Sequence, residues 1–230
     1  MQYQAWETEY QKSKLLTLDN KPQGDVVRFA KYLKKVLKEK DVTVADMKVL
    51  DLGSGTGRNA FYFAELGAEV VGVEISTTAV CLAKSRAEEA GLDITYHQQD
   101  MAKPFPVASE SIDIILDVTS SNSLDEKSRA VYLGECMRVL KPGGYMFLKA
   151  LCKDGDENAK YLLKHSPGKE HDTYFMKDLG LYERVFSRED LIKLYTGIGF
   201  TLVSLDKKTS YPKVGERVYK RNSWVSVWKK

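Results

Sequence analysis

The chain has 230 residues, 43% of them hydrophobic and 10% aromatic, which suits one large globular domain or one domain with insertions. Its formal net charge of +3 does not by itself indicate a polyanionic partner. No apolar stretch approaches the ~20 residues that cross a bilayer, and the N-terminal residues lack the pattern of a signal peptide. The three cysteines (Cys81, Cys136 and Cys152) are widely spaced, which argues against a disulfide framework or a zinc site. We therefore expect a cytoplasmic protein with no membrane contact and no metal.

Helical and strand patterns alternate along most of the chain. A short amphipathic helix is predicted from Trp6 to Lys12, and a longer helix over residues 24–38. Apolar runs predict seven strands, at about residues 47–52, 69–75, 93–99, 111–117, 144–150, 200–206 and 216–228. The other helices are predicted at about 58–66, 77–90, 125–140 and 188–196, with Ser76 and Ser187 as N-caps. This order predicts an α/β fold with a seven-stranded, mostly parallel sheet, helices on both faces and an antiparallel C-terminal hairpin around a turn with Pro212 and Gly215.

The end of the first strand is the most informative segment: Val-Leu-Asp-Leu-Gly-Ser-Gly-Thr-Gly at residues 49–57. Gly53, Gly55 and Gly57 occupy alternate positions, and glycine permits positive φ and close approach of a ligand to the backbone. Glu74 ends the second strand, where a carboxylate can accept hydrogen bonds from both hydroxyls of a ribose. Because the carboxyl ends of parallel strands meet at one sheet edge, the pattern predicts a site for a nucleoside-containing cofactor.

The glycine spacing differs from the dinucleotide fingerprint Gly-x-Gly-x-x-Gly, because Arg58 stands where the third glycine would fall. Gly-x-Gly-x-Gly after Asp51 instead resembles motif I of the class I S-adenosylmethionine-dependent methyltransferases. Three further motifs that resemble this family follow in order: Gln98-Gln99-Asp100-Met101, the strand 112–117 at motif IV, and the turn 138–144 before strand five. The resemblance covers about residues 25–150 and implies a Rossmann-like fold and methyl transfer.

The resemblance also implies a cofactor, S-adenosyl-L-methionine, and its product, S-adenosyl-L-homocysteine. In the family the glycine loop lies against the methionine part of the cofactor, the later acidic residue holds the ribose, and a further acidic residue lies near the adenine. Carried onto this sequence, the cofactor-binding residues are Asp51, Gly53, Ser54, Gly55, Thr56, Gly57, Glu74, Ile75, Asp100, Met101, Asp117 and Val118.

The catalytic residues are harder to identify, because displacement from a sulfonium mainly requires alignment of the reactants and exclusion of water. We expect the acceptor pocket to be built from the N-terminal segment, the loop after Asp117 and residues 152–184. No catalytic residue is assigned; the candidates are Asp117, His165 and His171, since the pKa of histidine lies near neutral. The candidates for substrate or lid contacts are Trp6, Tyr10, Ser120, Asn122, Tyr174 and Arg184.

Three substrate hypotheses follow. The stretch Gly57-Arg58-Asn59 resembles the tellurite-resistance branch and related small-molecule methyltransferases, which favours a small-molecule methyl acceptor over nucleic acid. Between residues 200 and 230, however, eight basic residues stand against two acidic ones, so an RNA or protein acceptor on this hairpin is an alternative. A non-catalytic cofactor-binding module is the third hypothesis. The oligomeric state is not predicted.

One methyltransferase domain is expected over residues 1–230. Within it, residues 1–40 are predicted to form a helical lid and residues 41–151 the cofactor-binding core. Residues 152–184 are predicted to form a substrate-side insertion, and residues 185–230 a helix and the hairpin.

Overall fold

The structure is a computed structural model that describes residues 2–12, 20–39, 41–211, 213–214, 217–218 and 220–230. Its strands, in chain order, are Lys48–Leu52 (β1), Glu69–Glu74 (β2), Ile94–Gln98 (β3), Ile112–Val118 (β4), Leu140–Leu151 (β5), Thr173–Met176 (β6), Leu181–Arg184 (β7), Thr201–Ser210 (β8), Lys213–Val214 (β9), Arg217–Val218 (β10) and Arg221–Lys229 (β11). Seven of these strands form the main sheet, in the order β3-β2-β1-β4-β5-β11-β8. The predicted Rossmann-like, mostly parallel sheet is therefore confirmed.

The strand registers bring several carboxyl ends to one edge of the sheet. β1 pairs in parallel with β2 and β4, so Leu52 lies opposite both Val73 and Asp117. β2 pairs in parallel with β3, which places Glu74 opposite Gln98. At the other side of the sheet, β11 lies between β5 and β8 and is antiparallel to both, as predicted. The loops that follow β1, β2, β3 and β4 consequently emerge side by side.

Helices cover both faces of this sheet. They are Gln2–Gln11 (α1), Gly24–Lys38 (α2), Arg58–Glu65 (α3), Thr77–Glu89 (α4), Glu126–Val139 (α5), Glu157–His165 (α6) and Arg188–Thr196 (α7). The predicted N-caps are confirmed, because the side chains of Ser76 and Ser187 accept hydrogen bonds from the first turns of α4 and α7. Over the described ranges, the helices are all too short or too polar to cross a bilayer.

The sheet is buried on both faces, which explains the continuous apolar runs of its central strands. Along β1, Leu50 and Leu52 belong to a core that also contains residues of α5 and α7. Val49 points the other way, into a core that contains residues of α2, α3 and α4. Successive side chains of a strand alternate between faces, so a short run such as Val-Leu-Asp-Leu serves both cores.

Three segments differ from the predictions, and a fourth prediction is not tested. β5 begins at Leu140, earlier than predicted, because Leu140 pairs with Ile112 before a register shift in β4. The insertion contains regular structure, namely α6 and the β6–β7 hairpin, whose short elements carry too little periodicity to be recognised. α1 begins at Gln2 and lacks a plain apolar face, since its buried residues include Glu7 and Glu9. The predicted turn at Pro212 and Gly215 lies outside the described residues.

Candidate active site

The glycine loop after β1 depends on three side chains from other parts of the fold. Gly53, Gly55 and Gly57 all have positive φ, at 66°, 56° and 89°. A Cβ atom on Gly53 would overlap Ser120 after β4, and one on Gly55 would overlap the hydroxyl of Tyr10 in α1. A Cβ atom on Gly57 would overlap the hydroxyl of Tyr96 in β3. Glycine is therefore required by the backbone conformation and by tight packing against these side chains.

Glu74 lies directly beside the loop. Its Oε2 accepts the N–H of Gly55 at 2.9 Å, and its Oε1 accepts the N–H of Ser76 at 2.9 Å. The side chain is buried, and burial raises the pKa of Glu74 although these backbone N–H groups lower it. Each carboxylate oxygen can accept a further hydrogen bond, so Glu74 is fixed in orientation without being saturated.

Asp51 lies beneath the loop and lines neither of the cavities described below. It is 1% exposed, and its Oδ2 has no hydrogen-bond partner among the described residues. Burial, followed by the charges of Asp117 and Glu74, raises the pKa of Asp51 to about 7. The carboxyl group is thus poised to change its charge near neutral pH.

The Asp117 carboxylate organises the loop after β4 and also lines neither cavity. Its Oδ1 accepts the N–H groups of Ser120 and Ser121 at 3.1 and 3.3 Å, and the Ser120 hydroxyl lies 2.6 Å away. Its Oδ2 accepts the hydroxyl of Tyr132 at 2.6 Å. Between these anchors Thr119 has a φ of 59°, which is strained for a β-branched residue. The geometry gives Asp117 a role in holding this loop, and does not bring its carboxylate to a cavity wall.

The N-terminal helix α1 lies across the mouth of the site and is held by a buried carboxylate. The Oε2 of Glu7 accepts the Ser76 hydroxyl at 2.7 Å and the N–H of Thr78 at 3.2 Å, and its Oε1 accepts the Thr78 hydroxyl at 2.5 Å. Glu7 thereby satisfies the N-terminus of α4, where the helix dipole favours a negative charge. This contact places Trp6 and Tyr10 of the same helix over the glycine loop.

Two adjoining cavities lie between α1 and the sheet edge. The first, of about 140 Å³, is lined by many of the predicted residues: Trp6, Tyr10, Gly53, Ser54, Gly55, Thr56, Glu74, Ile75, Met101, Val118 and Ser120. The second, of about 680 Å³, shares Trp6, Ile75, Met101 and Ser120 with the first. It extends past Asp100 to the loop after β4 and the insertion, which are the segments expected to surround the acceptor.

Several predicted residues line neither cavity. Gly57 packs against Tyr96, as described, and Asn122 is buried, with its Oδ1 accepting the N–H of Leu151. Tyr174 is buried within the insertion and donates to Glu183, while Arg184 lies over the ring of Phe186. These three side chains stabilise the walls behind the cavities.

The two candidate histidines also lie outside both cavities. His165 ends α6 and stacks on the ring of Tyr161, with ring centroids 4.2 Å apart. The side chain of His171 is 77% exposed and lies 3.2 Å from Asp172. His171, Asp172 and Asp190 are the group of potential metal ligands found among the described residues, and they lie away from both cavities. Asp172 already pairs with Lys153.

Sequence reasoning did not identify several cavity residues. Arg58, Asn59 and Thr119 line the first cavity, and Gln2 and Ser123 line the second. The positive φ of Thr119 has no local signal, because it results from hydrogen bonds around Asp117. Gln2 reaches the cavity only because α1 folds back over the sheet. Arg58 and Asn59 could have been identified, because they directly follow the glycine loop.

The comparisons with known proteins agree with this geometry. A family model described as a methyltransferase domain matches residues 49–144, which include the glycine loop, Glu74 and the Asp117 loop. The ubiquinone biosynthesis O-methyltransferase of Dinoroseobacter shibae is 30% identical over 168 residues, covering 70% of this chain and 62% of that protein. The chain thus spans between about half and two thirds of the length of the first curated relatives that it matches.

Solved structures share the fold. A SAM-dependent methyltransferase from Methanosarcina mazei gives a TM-score of 0.71 at 23% identity, over 80% of this chain and 92% of that one. The 1,6-didemethyltoxoflavin-N1-methyltransferase of Burkholderia thailandensis, solved with 1,6-didemethyltoxoflavin and S-adenosylhomocysteine, gives 0.72 at 17% identity, over 100% and 87%. The sheet order, the glycine loop and the family match over residues 49–144 together define a Rossmann-like methyltransferase domain. Residues 49–144 thus match a methyltransferase domain, and the chain is similar in sequence and fold to class I S-adenosylmethionine-dependent methyltransferases.

Replacing Asp51 with Asn should stabilise the unliganded protein more at pH 8 than at pH 5. The native pKa is about 7, whereas an unfolded aspartate titrates near ~3.9, so the native state binds more protons between these values. The wild-type free energy of unfolding therefore falls as pH rises through this window, and an uncharged Asn loses that dependence. Urea unfolding at both pH values measures the difference, with exposed Asp178→Asn as the control. An equal effect at both pH values would contradict the assignment.

Replacing Glu7 with Ala should loosen α1. The change leaves the hydroxyls of Ser76 and Thr78 without their carboxylate acceptor, at a cost of about 1–3 kcal/mol. Hydrogen exchange of the α1 amides should accelerate, while that of β1 and β2 should not change. Gln4→Ala is the matched control, because Gln4 lies on the same helix and is exposed. Unchanged exchange in the Glu7 variant would show that this contact does not hold the helix.

Proposed function

We propose that this chain transfers a methyl group from S-adenosylmethionine to a small-molecule acceptor. The observation that carries the proposal is Glu74, oriented by the N–H groups of Gly55 and Ser76 at the wall of a cavity that opens into a second, larger one. This arrangement provides adjoining spaces for a donor and an acceptor. The match of residues 49–144 to a methyltransferase domain and the relatives named above support methyl transfer as the reaction.

The residues present fit the cofactor. Glu74 keeps lone pairs for the two ribose hydroxyls, and the loop glycines leave the backbone open for the methionine part. Ile75, Asp100 and Met101 would hold the adenine, since they line the second cavity beside the end of β2. Asp51, whose Oδ2 has no hydrogen-bond partner in the described ranges, would provide a negative charge close to the cofactor ammonium.

The helix α1 would have to move for the cofactor to enter. The first cavity is well below the ~300–1,000 Å³ typical of ligand sites, and the Tyr10 hydroxyl lies against Gly55. We therefore infer that Trp6 and Tyr10 withdraw on entry and close over the bound cofactor. Closure would then exclude water from the reacting groups.

The cofactor, when bound, supplies an electrophilic methyl group on a sulfonium. The chain's contribution is alignment, because in-line displacement requires the acceptor atom and the methyl group to be held in near-attack geometry. The carboxylates of Asp125 and Glu170 line the second cavity, but both accept backbone N–H groups of α5. In the proposed mechanism, positioning of the reactants and exclusion of water therefore contribute more to catalysis than a general base does.

The size and lining of the second cavity support a small acceptor. Its walls include Trp6, Met101, Leu124, Phe175 and Tyr182, which suit a compact and largely apolar molecule. The printed names of the relatives, which concern ubiquinone biosynthesis and toxoflavin, are consistent with small acceptors in this fold.

The basic hairpin offers a weaker surface for RNA or protein than its composition indicates. Lys207 and Lys208 are neighbours in β8 and therefore point to opposite faces of the sheet. Lys230 donates to the carbonyls of Met137 and Leu140, and Arg221 lies against Tyr174. The side chains of Lys213 and Arg217 lie outside the described part. The polyanion hypothesis stays a prediction that charge reversal at Lys208 and Lys220 would test.

Replacing Glu74 with Gln should weaken S-adenosylhomocysteine binding at least ~10-fold, because the charge is lost and the amide nitrogen cannot accept from a backbone N–H. Isothermal titration calorimetry with S-adenosylhomocysteine measures the loss. Glu69→Gln, at the exposed start of the same strand, is the matched control and should bind normally. Normal binding by the Glu74 variant would refute the assigned ribose site.

Incubation with methyl-labelled S-adenosylmethionine and a fractionated cell extract tests the reaction itself. Label should enter the small-solute fraction and resist nuclease and protease. Label in RNA or protein would move the acceptor to a macromolecule, and Glu74→Gln should reduce labelling in either case. Wild-type protein that binds S-adenosylhomocysteine yet labels no fraction would instead support the non-catalytic module.

A further inference from the structure

Two residues that line the second cavity each have a buried polar atom without a partner in the part of the chain that the structure describes. These atoms are the Oε1 of Gln2 and the Oγ of Ser123, and neither has a hydrogen-bond partner among the described residues. Ser123 is only 5% exposed. An unpaired polar group in such a place costs free energy, so it requires an explanation.

The chemical character of the Gln2 atom is fixed by its neighbours. The Nε2 of Gln2 donates to the carbonyl oxygens of Ser123 and Tyr182, at 2.8 and 3.1 Å. Because both partners are acceptors, the amide cannot be flipped, and Oε1 must be the free end. The Oε1 of Gln2 is thus an obligate acceptor, whereas the Ser123 hydroxyl can donate or accept.

The remaining lining restricts the ligand further. Trp6, Phe175 and Tyr182 provide aromatic walls, which favour a planar ring. Apart from Asp100, which the proposed function assigns to the adenine, the charged residues that line this cavity are Asp125, Glu170 and Lys169, so negative charges outnumber positive ones. This excess of negative charge disfavours carboxylates and phosphates.

We infer that Gln2 and Ser123 select the methyl acceptor, and that it is a neutral aromatic molecule with an O–H or N–H group to donate to them. The inference rests on the proposed function, since it concerns the acceptor of the same site. It also makes recognition depend on α1, because the Gln2 amide that presents Oε1 is the group that links this helix to the loop after β4 and to β7.

Three matched probes test the inference: 2-naphthol, 2-methoxynaphthalene and 2-naphthoate, titrated into the full chain saturated with S-adenosylhomocysteine at pH 7. The wild type should bind 2-naphthol at least ~10-fold more tightly than its methyl ether, because the ether leaves the acceptor of Gln2 unpaired. Naphthoate should bind more weakly than 2-naphthol. Equal binding of 2-naphthol and its ether, or preferred binding of naphthoate, would overturn the inference.

Ser123→Ala should reduce the preference for 2-naphthol over its ether at least ~3-fold. The change leaves the Ser123 carbonyl that holds Gln2 in place, so S-adenosylhomocysteine should bind as in the wild type. Ser85→Ala, at an exposed site on α4, is the control. An unchanged preference in Ser123→Ala would remove this residue from the selection.

The S-adenosylhomocysteine titration separates the two proposals. Wild-type protein that binds this product but none of the three probes would overturn the acceptor assignment and leave the proposed function standing. Wild-type protein that fails to bind it would overturn the proposed function, and the acceptor assignment with it.

Discussion

The site depends on how the first turn of α4 is satisfied. A helix begins with backbone N–H groups that have no partner within the helix, and here three acceptors lie around this N-terminus. Ser76 accepts from Ala79, Glu7 accepts from Thr78, and Glu74 accepts from Ser76 itself. Ser76 therefore donates to both carboxylates: its N–H to Glu74, beside the glycine loop, and its hydroxyl to Glu7, which holds α1. The sheet edge, the α4 helix and α1 are therefore fixed by the same few hydrogen bonds.

A second constraint acts from the opposite side of the loop. Each loop glycine contacts a side chain from a different element: Ser120 after β4, Tyr10 in α1 and Tyr96 in β3. The loop conformation is consequently set by tertiary packing as well as by the freedom of glycine. Ser120 is itself held by Asp117, so the loop after β4 and the glycine loop are coupled through one side chain. A change at Asp117 would reach the glycine loop by this route.

The elements of the sheet could be predicted because their signals are local. Apolar runs located β1 to β4 within about a residue or two, and Ser76 and Ser187 marked helix starts through their own side chains. Predictions were less complete where a polar residue is satisfied from far along the chain. Glu7 is one example, since its partners are 69 and 71 residues away. Sequence patterns do not contain such partners.

The absence of distant partners from sequence patterns also explains which site residues could be predicted. Motif positions placed Glu74 beside the loop because the family spacing encodes the strand register. The acceptor side has no such encoding: it is formed where α1, the loop after β4 and the insertion converge, and Gln2 gains its role only there. Tyr174, Asn122 and Arg184 were proposed as polar or aromatic residues in these segments, yet their side chains point into the supporting structure. The sequence could predict which segments surround the acceptor, but the directions of their side chains could be read only from the folded structure.

The buried charge beneath the loop bears on how the site would distinguish substrate from product. Burial raises the pKa of Asp51, the charges of Asp117 and Glu74 raise it further, and Arg58 is the cation that opposes them. Such a cluster pays a desolvation cost that a nearby positive charge offsets. Under the proposed function the substrate carries a sulfonium, whereas the product is a neutral thioether. The cluster would therefore favour the charged substrate over its product, and loss of the positive charge on methyl transfer would itself promote release.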